Sequence, residues 1–302
     1  MFLKRLAQTD VMIPEVGLGT WEYHAGSAPI RRGLEAGALF IDTAESYRVE
    51  RVIREALAGL RERVFVATKV SPQNFRHADL KQSVESSLCR LGLNELDLLQ
   101  LHEPNPTIPI EETIGAMIQL VEAGKIRFIG VSNFSVSQLQ AARKASGKYP
   151  IVSNQVRFSL IDRTIESGLL QYCQTEGVTV IAYSPLGHDF RHIYECDPSG
   201  AIDNLARTTG KSPAQIVLNW CLCKPGVVVI PKGNSAEHVL DNCGASDWRL
   251  TGEQIRLLDT RIKYRHRTAF ETMVRKYMPH RLRKFAILAV KLLPRGLRQR
   301  IS

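Results

Sequence analysis

Four side chains in the first third of the sequence are of the types that a proton-transfer site needs. Asp42, Tyr47, Lys69 and His102 sit at the ends of short apolar runs: Phe40-Ile41-Asp42-Thr43-Ala44 with Tyr47 five residues after the aspartate, Ala67-Thr68-Lys69, and Leu101-His102. A free phenol has a pKa near ~10 and donates poorly at neutral pH. An ammonium beside it favours the phenolate and lowers that pKa. A carboxylate would hold the ammonium in place and charged, and an imidazole within reach would orient the oxygen that receives the proton. Each residue alone has an ordinary structural explanation. Four at the ends of neighbouring runs argue a site.

The elements that must position them come next. Eight short apolar or β-branched runs occupy residues 16–20, 39–43, 64–70, 96–102, 126–132, 151–157, 179–184 and 227–232. Their nearly continuous apolar character suits strands buried on both faces, and so parallel pairing. Helical patterns fall between them, at residues 30–36, 50–60, 78–91, 110–123, 136–144, 165–176, 201–209 and 213–223. In the fourth, Ile110, Ile114, Met117, Ile118 and Val121 recur at helical spacing and predict a core-facing stripe. Gly92, Gly124 and Gly177 stand where C-caps are expected, and Ser135 and Ser212-Pro213 supply N-cap chemistry. Eight alternations predict a (β/α)8 TIM barrel over an open doubly wound sheet. In such a barrel the site lies at the C-terminal strand ends, where the four residues stand. The first ten or so residues read as a small flap before the first barrel strand.

A chain of 302 residues with 44% apolar and 23% charged residues is long enough for one such barrel and is not disordered by composition. Its net charge of +10 is unevenly placed. Residues 261–302 hold 13 Lys or Arg against the single acid Glu271, a net of +12, which leaves −2 for residues 1–260. The basicity therefore belongs to a tail, and nucleic-acid binding by the body is not expected. The division is a barrel domain over residues 1–262 and a basic C-terminal extension over residues 263–302. The six cysteines show no metal-type spacing, Cys221-Leu-Cys223 being too tight, and most fall in helical patterns where buried reduced thiols are expected. The first residues lack the apolar run of a secretory signal, and the longest apolar stretch is too short to span a bilayer. A cytoplasmic monomer is the expectation.

The motifs resemble the aldo-keto reductase family over nearly all of residues 1–262. The matching segments are GLGTW at 17–21, DTAESY at 42–47, ATKV at 67–70, LHEP at 101–104 and GKIRFIGVSNF at 124–134, then NQ at 154–155, AYSPLG at 182–187, IPK at 230–232 and DN at 241–242. The likeness is greatest to the bacterial and archaeal branch that includes 2,5-diketo-gluconate reductases. It implies reduction of a small aldehyde or ketone by NADP(H), with Tyr47 as general acid supported by Lys69, Asp42 and His102. The family binds its dinucleotide extended over the barrel rim, and this chain has no GxGxxG after a strand. By the same resemblance, Ser132, Asn133 and Gln155 would hold the nicotinamide carboxamide and Tyr183 would stack on its ring. Thr20, Ser184 and Leu186 would also contact the cofactor. Lys232, Asn234 and Ser235 would hold the adenosine 2′-phosphate, with His238 beside them and Asn242 on the adenine. Trp21, Tyr23 and Glu103 are the expected substrate-pocket residues. A second class of function, a slow NADP(H)-binding redox sensor, would keep the same four residues.

Three departures from the family pattern bear on these roles. His238 stands where an arginine is frequent, which leaves NAD(H) as the alternative cofactor. Arg48 replaces a glycine after the tyrosine, either solvated or reaching an acidic substrate. Glu103 stands where tryptophan is common, either lining the pocket or pairing with Arg48. The loop after the seventh run, residues 188–192, is expected to cross the cofactor. In the tail, Leu282, Phe285, Leu288, Ala289 and Leu292 share one helical face, with Arg281, Lys284 and Lys291 elsewhere. Such a helix packs on the barrel or docks peripherally on anionic lipid.

Overall fold

The computed structural model describes residues 1–187 and 189–265. The expected flap is an antiparallel hairpin of β1 (Leu3–Arg5) and β2 (Met12–Pro14). Eight parallel strands follow: β3 (Leu18–Gly19), β4 (Phe40–Asp42), β5 (Phe65–Val70), β6 (Leu96–Leu101), β7 (Ile126–Ser132), β8 (Ile151–Arg157), β9 (Thr179–Tyr183) and β10 (Val227–Val229). Each pairs with its sequence neighbour. Closure comes from the segment before β3. Val16 bridges Val229, the Gly17 N–H donates to Val229 O at 2.8 Å, and the Val229 N–H donates to Glu15 O at 2.9 Å. The (β/α)8 barrel read from the sequence is the fold.

The helices are α1 (Ser27–Glu35), α2 (Glu50–Ala56), α3 (His77–Leu91), α4 (Ile110–Glu122), α5 (Val136–Ser146), α6 (Leu169–Thr175), α7 (Arg191–Glu195), α8 (Ala201–Thr209), α9 (Pro213–Leu222), α10 (Ala236–Cys243) and α11 (Gly252–Arg261). Ser135 and Ser212 each form a capping box, with Gln138 and Gln215. Gly92 caps α3 at φ 68°, a conformation that costs glycine least. On α4, Ile114 and Met117 are buried, while Ile110, Ile118 and Val121 are half-buried against the same core. Two readings change. The helix expected over residues 165–176 is split by Gly168 at φ 145° into a 3-10 turn and α6. The strand expected over 227–232 ends at Val229, because Pro231 has no N–H to continue the ladder. α7, α10 and α11 were not anticipated; they are short, and each buries three residues or fewer.

Apolar side chains fill the barrel on both sides of the sheet. Inside lie Phe40, Phe65, Ala67, Leu98, Val152, Ile181 and Val228, joined by Leu6 and Ile13 of the hairpin. Since Phe40 and Phe65 begin their strands, the hairpin closes the N-terminal end. The opposite rim is left open for a site.

All six cysteines are free thiols. Burial pushes Cys173 and Cys221 up to about 12 and Cys243 up to about 11, so these stay protonated at neutral pH. Cys89 differs from the expected buried thiol in being exposed on α3. No described helix is long and apolar enough to cross a membrane.

Beyond α11 the chain is still attached to the barrel. The Lys263 N–H donates to Cys196 O at 2.8 Å and the Arg265 N–H to Ile161 O at 3.2 Å. The Arg163 guanidinium lies 4.4 Å from the Trp220 ring and 4.1 Å from the Tyr264 ring. The amphipathic pattern of the tail falls outside the described residues.

Barrel closure depends on glycine. A Cβ on Gly19 would lie 2.4 Å from Ile230 O, a backbone atom fixed by the β9–β10 ladder. Gly19→Ala is expected to lower stability by roughly 1–3 kcal/mol, as overpacking at a rigid contact does. Urea unfolding of the two proteins checks this through the midpoint at unchanged slope.

Candidate active site

Parallel strands deliver their C-terminal residues to one rim, which is why residues far apart in sequence meet there. Asp42 ends β4, Lys69 is next to last in β5, His102 follows β6, and Tyr47 closes a 3-10 turn after β4. Lys69 is 1% exposed. Its ammonium donates to Asp42 Oδ1 and, at 2.9 Å, to Thr43 O. The same Nζ lies 5.0 Å from the centre of the Tyr47 ring. The Tyr47 hydroxyl is 3.5 Å from His102 Nε2, with the two rings edge to face at 5.6 Å. The four residues expected to converge do so.

Electrostatics sets the protonation states. Burial alone would lower Lys69, but Asp42 and Tyr47 outweigh it and hold the ammonium above the ordinary lysine range. Tyr47 behaves differently from the sequence reading. Burial raises its pKa, and the charge and hydrogen bond of Lys69 oppose that without overcoming it, so the phenol lies above its ordinary value. Desolvation of the phenolate is larger than the attraction of an ammonium already shared with Asp42. His102 is pushed down to about 4, first by burial and then by Lys69, with Glu45 pulling the other way. At neutral pH the imidazole is neutral and the phenol is protonated. The phenol therefore holds the proton available for donation.

A cleft of about 590 Å³ opens over these groups. Thr20, Trp21, Asp42, Tyr47, His102, Ser132, Asn133, Gln155, Tyr183, Ser184, Leu186, Lys232 and His238 line it. Along the strand ends a connected polar chain runs from His102 to β9. Asn133 Nδ2 donates to His102 O at 3.1 Å and to Ser132 Oγ at 3.0 Å, and its Oδ1 accepts from the Tyr183 hydroxyl at 3.0 Å. The Ser132 hydroxyl donates to Gln155 O at 2.9 Å. Thr20 lies beneath the cleft wall, its hydroxyl donating to Asp42 O at 3.0 Å. Asn133 and Ser184 hold φ at 62° and 49°, and Glu22, also on the cleft, at 51°. Positive φ in non-glycine residues is costly and collects at binding sites.

At the far end, the loops after β3 and β10 are tied together. Lys232 Nζ donates to Glu22 O at 3.2 Å, and the His24 N–H donates to Asn234 Oδ1 at 3.4 Å. Ser235 caps α10, its hydroxyl accepting from the His238 N–H at 3.2 Å. Asn234, Ser235 and the buried Asn242 stand beside the cleft without lining it.

Two expected pocket residues lie away from the cleft. Tyr23 is buried, and its hydroxyl is used by Gly26 O at 2.7 Å. Glu103 is exposed and turned off the cleft, and among the described residues no ion pair joins it to Arg48. Trp21, 43% exposed, remains as an aromatic wall. Arg157, which the sequence reading did not include, and Phe190 line the cleft. The Arg157 guanidinium lies 5.4 Å from the Tyr183 ring. Strand alternation carried a signal for Arg157, since an inward Gln155 on β8 implies an inward residue two places on. Phe190 belongs to the loop over residues 188–192 that was expected at the cofactor. His188, expected over the cofactor, lies outside the described residues.

Comparison with known proteins agrees in extent and in kind. The profile described as "Aldo/keto reductase family" matches residues 15–263. Methylglyoxal reductase YeaE of Escherichia coli (strain K12) is 36% identical over 260 residues, which span 83% of this chain and 91% of that protein. A crystal structure of an aldo-keto reductase from Klebsiella pneumoniae in complex with NADPH superposes with a TM-score of 0.81 at 36% identity, covering 88% of this chain and 98% of that one. A second aldo/keto reductase from Klebsiella pneumoniae, in complex with NADP and acetate, gives 0.79 at 37% identity over 85% and 94%.

The low His102 value has a consequence for acid stability. A histidine titrates near ~6.5 when unfolded but here at about 4, so below the higher value the unfolded chain binds the extra proton. The penalty is absent above the unfolded value and grows as pH falls toward the folded one. His102→Gln is expected to lose less stability than the parent between pH ~6.5 and about 4. Thermal melts across that window test it; parallel losses in both proteins would contradict the buried neutral imidazole.

Proposed function

This chain belongs to the aldo/keto reductase family, and on that premise we propose that it reduces small aldehydes or ketones with NADP(H), using Tyr47 as the proton donor. The observation that carries this reading is the buried Lys69, fixed by Asp42 and Thr43 O with its Nζ 5.0 Å from the Tyr47 ring at the floor of the cleft.

The residues present fit a nicotinamide dinucleotide. Gln155 Nε2 is committed to Asp42 Oδ2 at 2.7 Å, while its Oε1 has no hydrogen-bond partner among the described residues. That leaves an acceptor for a carboxamide NH2 group. Ser132 and Asn133 stand beside it, and the Tyr183 ring offers a stacking face. Lys232 at the far end supplies a cation for the adenosine 2′-phosphate, as charge-assisted contacts to phosphate require. The imidazole of His238 offers fewer donors to a phosphate than the fork of an arginine would, and NAD(H) is the weaker alternative.

A nicotinamide held by Ser132, Asn133, Gln155 and Tyr183 would supply the hydride that the carbonyl carbon takes up. Tyr47 gives its proton to the carbonyl oxygen as charge builds there, and Lys69 stabilises the phenolate left behind. Asp42 keeps Lys69 charged and in place. Neutral His102 shares the space around the Tyr47 hydroxyl and directs the carbonyl oxygen toward it. Trp21 and Phe190 form apolar walls that exclude water from the reacting atoms. The phenolate recovers its proton from solvent once the alcohol leaves.

Tyr47→Phe is expected to lower kcat by roughly 10²–10⁴-fold, as loss of a general acid does, with NADPH affinity within about twofold of the parent. Reduction of an aldehyde panel at the parent rate would remove Tyr47 from the mechanism. Lys232→Met is expected to weaken NADPH about ten- to a hundredfold and leave NADH unchanged, the range for one contact to a charged group. Fluorescence titration with both cofactors reads the difference; equal losses would move Lys232 away from the 2′-phosphate.

A further inference from the structure

Most of the barrel interior is hydrocarbon, but one amide is buried in it that the reductase reading does not use. Gln100 lies in the middle of β6, fully buried, two residues above Leu98 of the apolar interior cluster. It is the cross-strand partner of Lys69 on one side and of Gly130 on the other. A leucine would fill this place at lower cost, because a buried amide must find partners. Gln100 has them. Its Nε2 donates to Asp42 Oδ2 at 3.1 Å, and its Oε1 accepts from the Ser153 hydroxyl and from Gln155 Nε2, each at 3.4 Å. Gly130 leaves the space for this arrangement: a Cβ there would be 2.3 Å from Ser153 Oγ and 3.0 Å from Gln100 Cγ.

Asp42 is thus divided between two kinds of partner. Oδ1 faces the Lys69 ammonium, while Oδ2 accepts from two neutral amides, Gln100 and Gln155. Asp42 has an opposite effect from Lys69 on Tyr47, its negative charge making the phenolate harder to form. Donors on Oδ2 draw that charge away from the side facing Lys69 and Tyr47, which is how hydrogen bonding stabilises an anion in low dielectric.

We propose that Gln100 is a positioning residue for the proton donor: by donating to Asp42 Oδ2 it lessens the extent to which the carboxylate screens the charge of Lys69, so that more of the ammonium's field acts on Tyr47. The groups facing Tyr47 are Lys69 from β5, Asp42 from β4, His102 after β6 and Tyr183 from β9. His102 is neutral across the working range and Lys69 stays charged, so the Asp42 charge distribution is the part that Gln100 can change. The kinetic consequence rests on the reductase reading; the effect on the phenol does not.

Gln100→Met keeps the volume and removes the donor. Ultraviolet titration of the cofactor-free protein, taken as the difference from the matching Tyr47→Phe protein, is expected to show the Tyr47 phenol titrating at higher pH than in the parent. kcat for carbonyl reduction should fall about three- to tenfold, in keeping with one buried hydrogen bond, while KM and the NADPH Kd stay within about twofold. Gln100→Glu gives an independent arm should the first variant fold poorly. Two carboxyl groups in contact share a proton, so this variant should match the parent at low pH, where the new acid still donates to Asp42, and fall below it as that proton is lost. A Tyr47 titration identical to the parent in both variants, or a Gln100→Glu loss that does not vary with pH, would make Gln100 a packing residue and overturn the proposal. A shifted phenol titration in a protein that reduces no carbonyl compound would leave this inference standing and remove the reductase reading instead.

Discussion

Lys69 carries a full charge at a position that water does not reach, and the surroundings are built to keep it there. A buried ammonium is tolerated only when its charge is balanced and its protons are accepted, since an uncompensated ion in the interior costs several kcal/mol. Asp42 balances the charge and Thr43 O accepts a second hydrogen bond. Asp42 in turn needs donors, which come from Gln100 and Gln155. Five strands, β4 through β8, thereby contribute to one polar layer above an apolar interior: Asp42, Lys69, Gln100, the gap at Gly130, and Ser153 with Gln155. Removing one member leaves the others with unsatisfied groups.

This layer explains why the floor of the cleft can be rigid while its rim is irregular. Below it, the interior apolar cluster and the N-terminal hairpin fix the strand spacing. Above it the regular strands end, and side chains add links between neighbouring loops: Asn133 joins His102 O, Ser132 and Tyr183. The left-handed conformations of Glu22, Arg48, Asn133 and Ser184 fall at these departures from the strands.

The two ionisable groups nearest the proposed reaction are shifted in the directions that keep them neutral. Burial raises Tyr47 and lowers His102, and Lys69 acts on both, pulling the phenol down and pushing the imidazole further down. A single cation thus separates the roles of its two neighbours. The phenol keeps a proton that it can give up when negative charge appears beside Lys69, and the imidazole remains a neutral hydrogen-bonding group.

Much of this was legible in the sequence, for a physical reason. Parallel strands are buried on both faces and appear as unbroken apolar runs, so their number, order and polar ends can be read directly, and with them Asp42, Lys69, His102 and the nearby Tyr47. Caps at Ser135, Ser212 and Gly92 are local and were equally readable. The tertiary structure alone decided what depends on three-dimensional burial and on loops. It turned Tyr23 inward onto Gly26 O and Glu103 outward, brought Arg157 to the cleft, and set the phenol above its ordinary pKa where the sequence suggested the reverse. Residue types announce which charges can attract, but the desolvation that competes with them depends on how many neighbours surround each atom, and only the folded barrel fixes that.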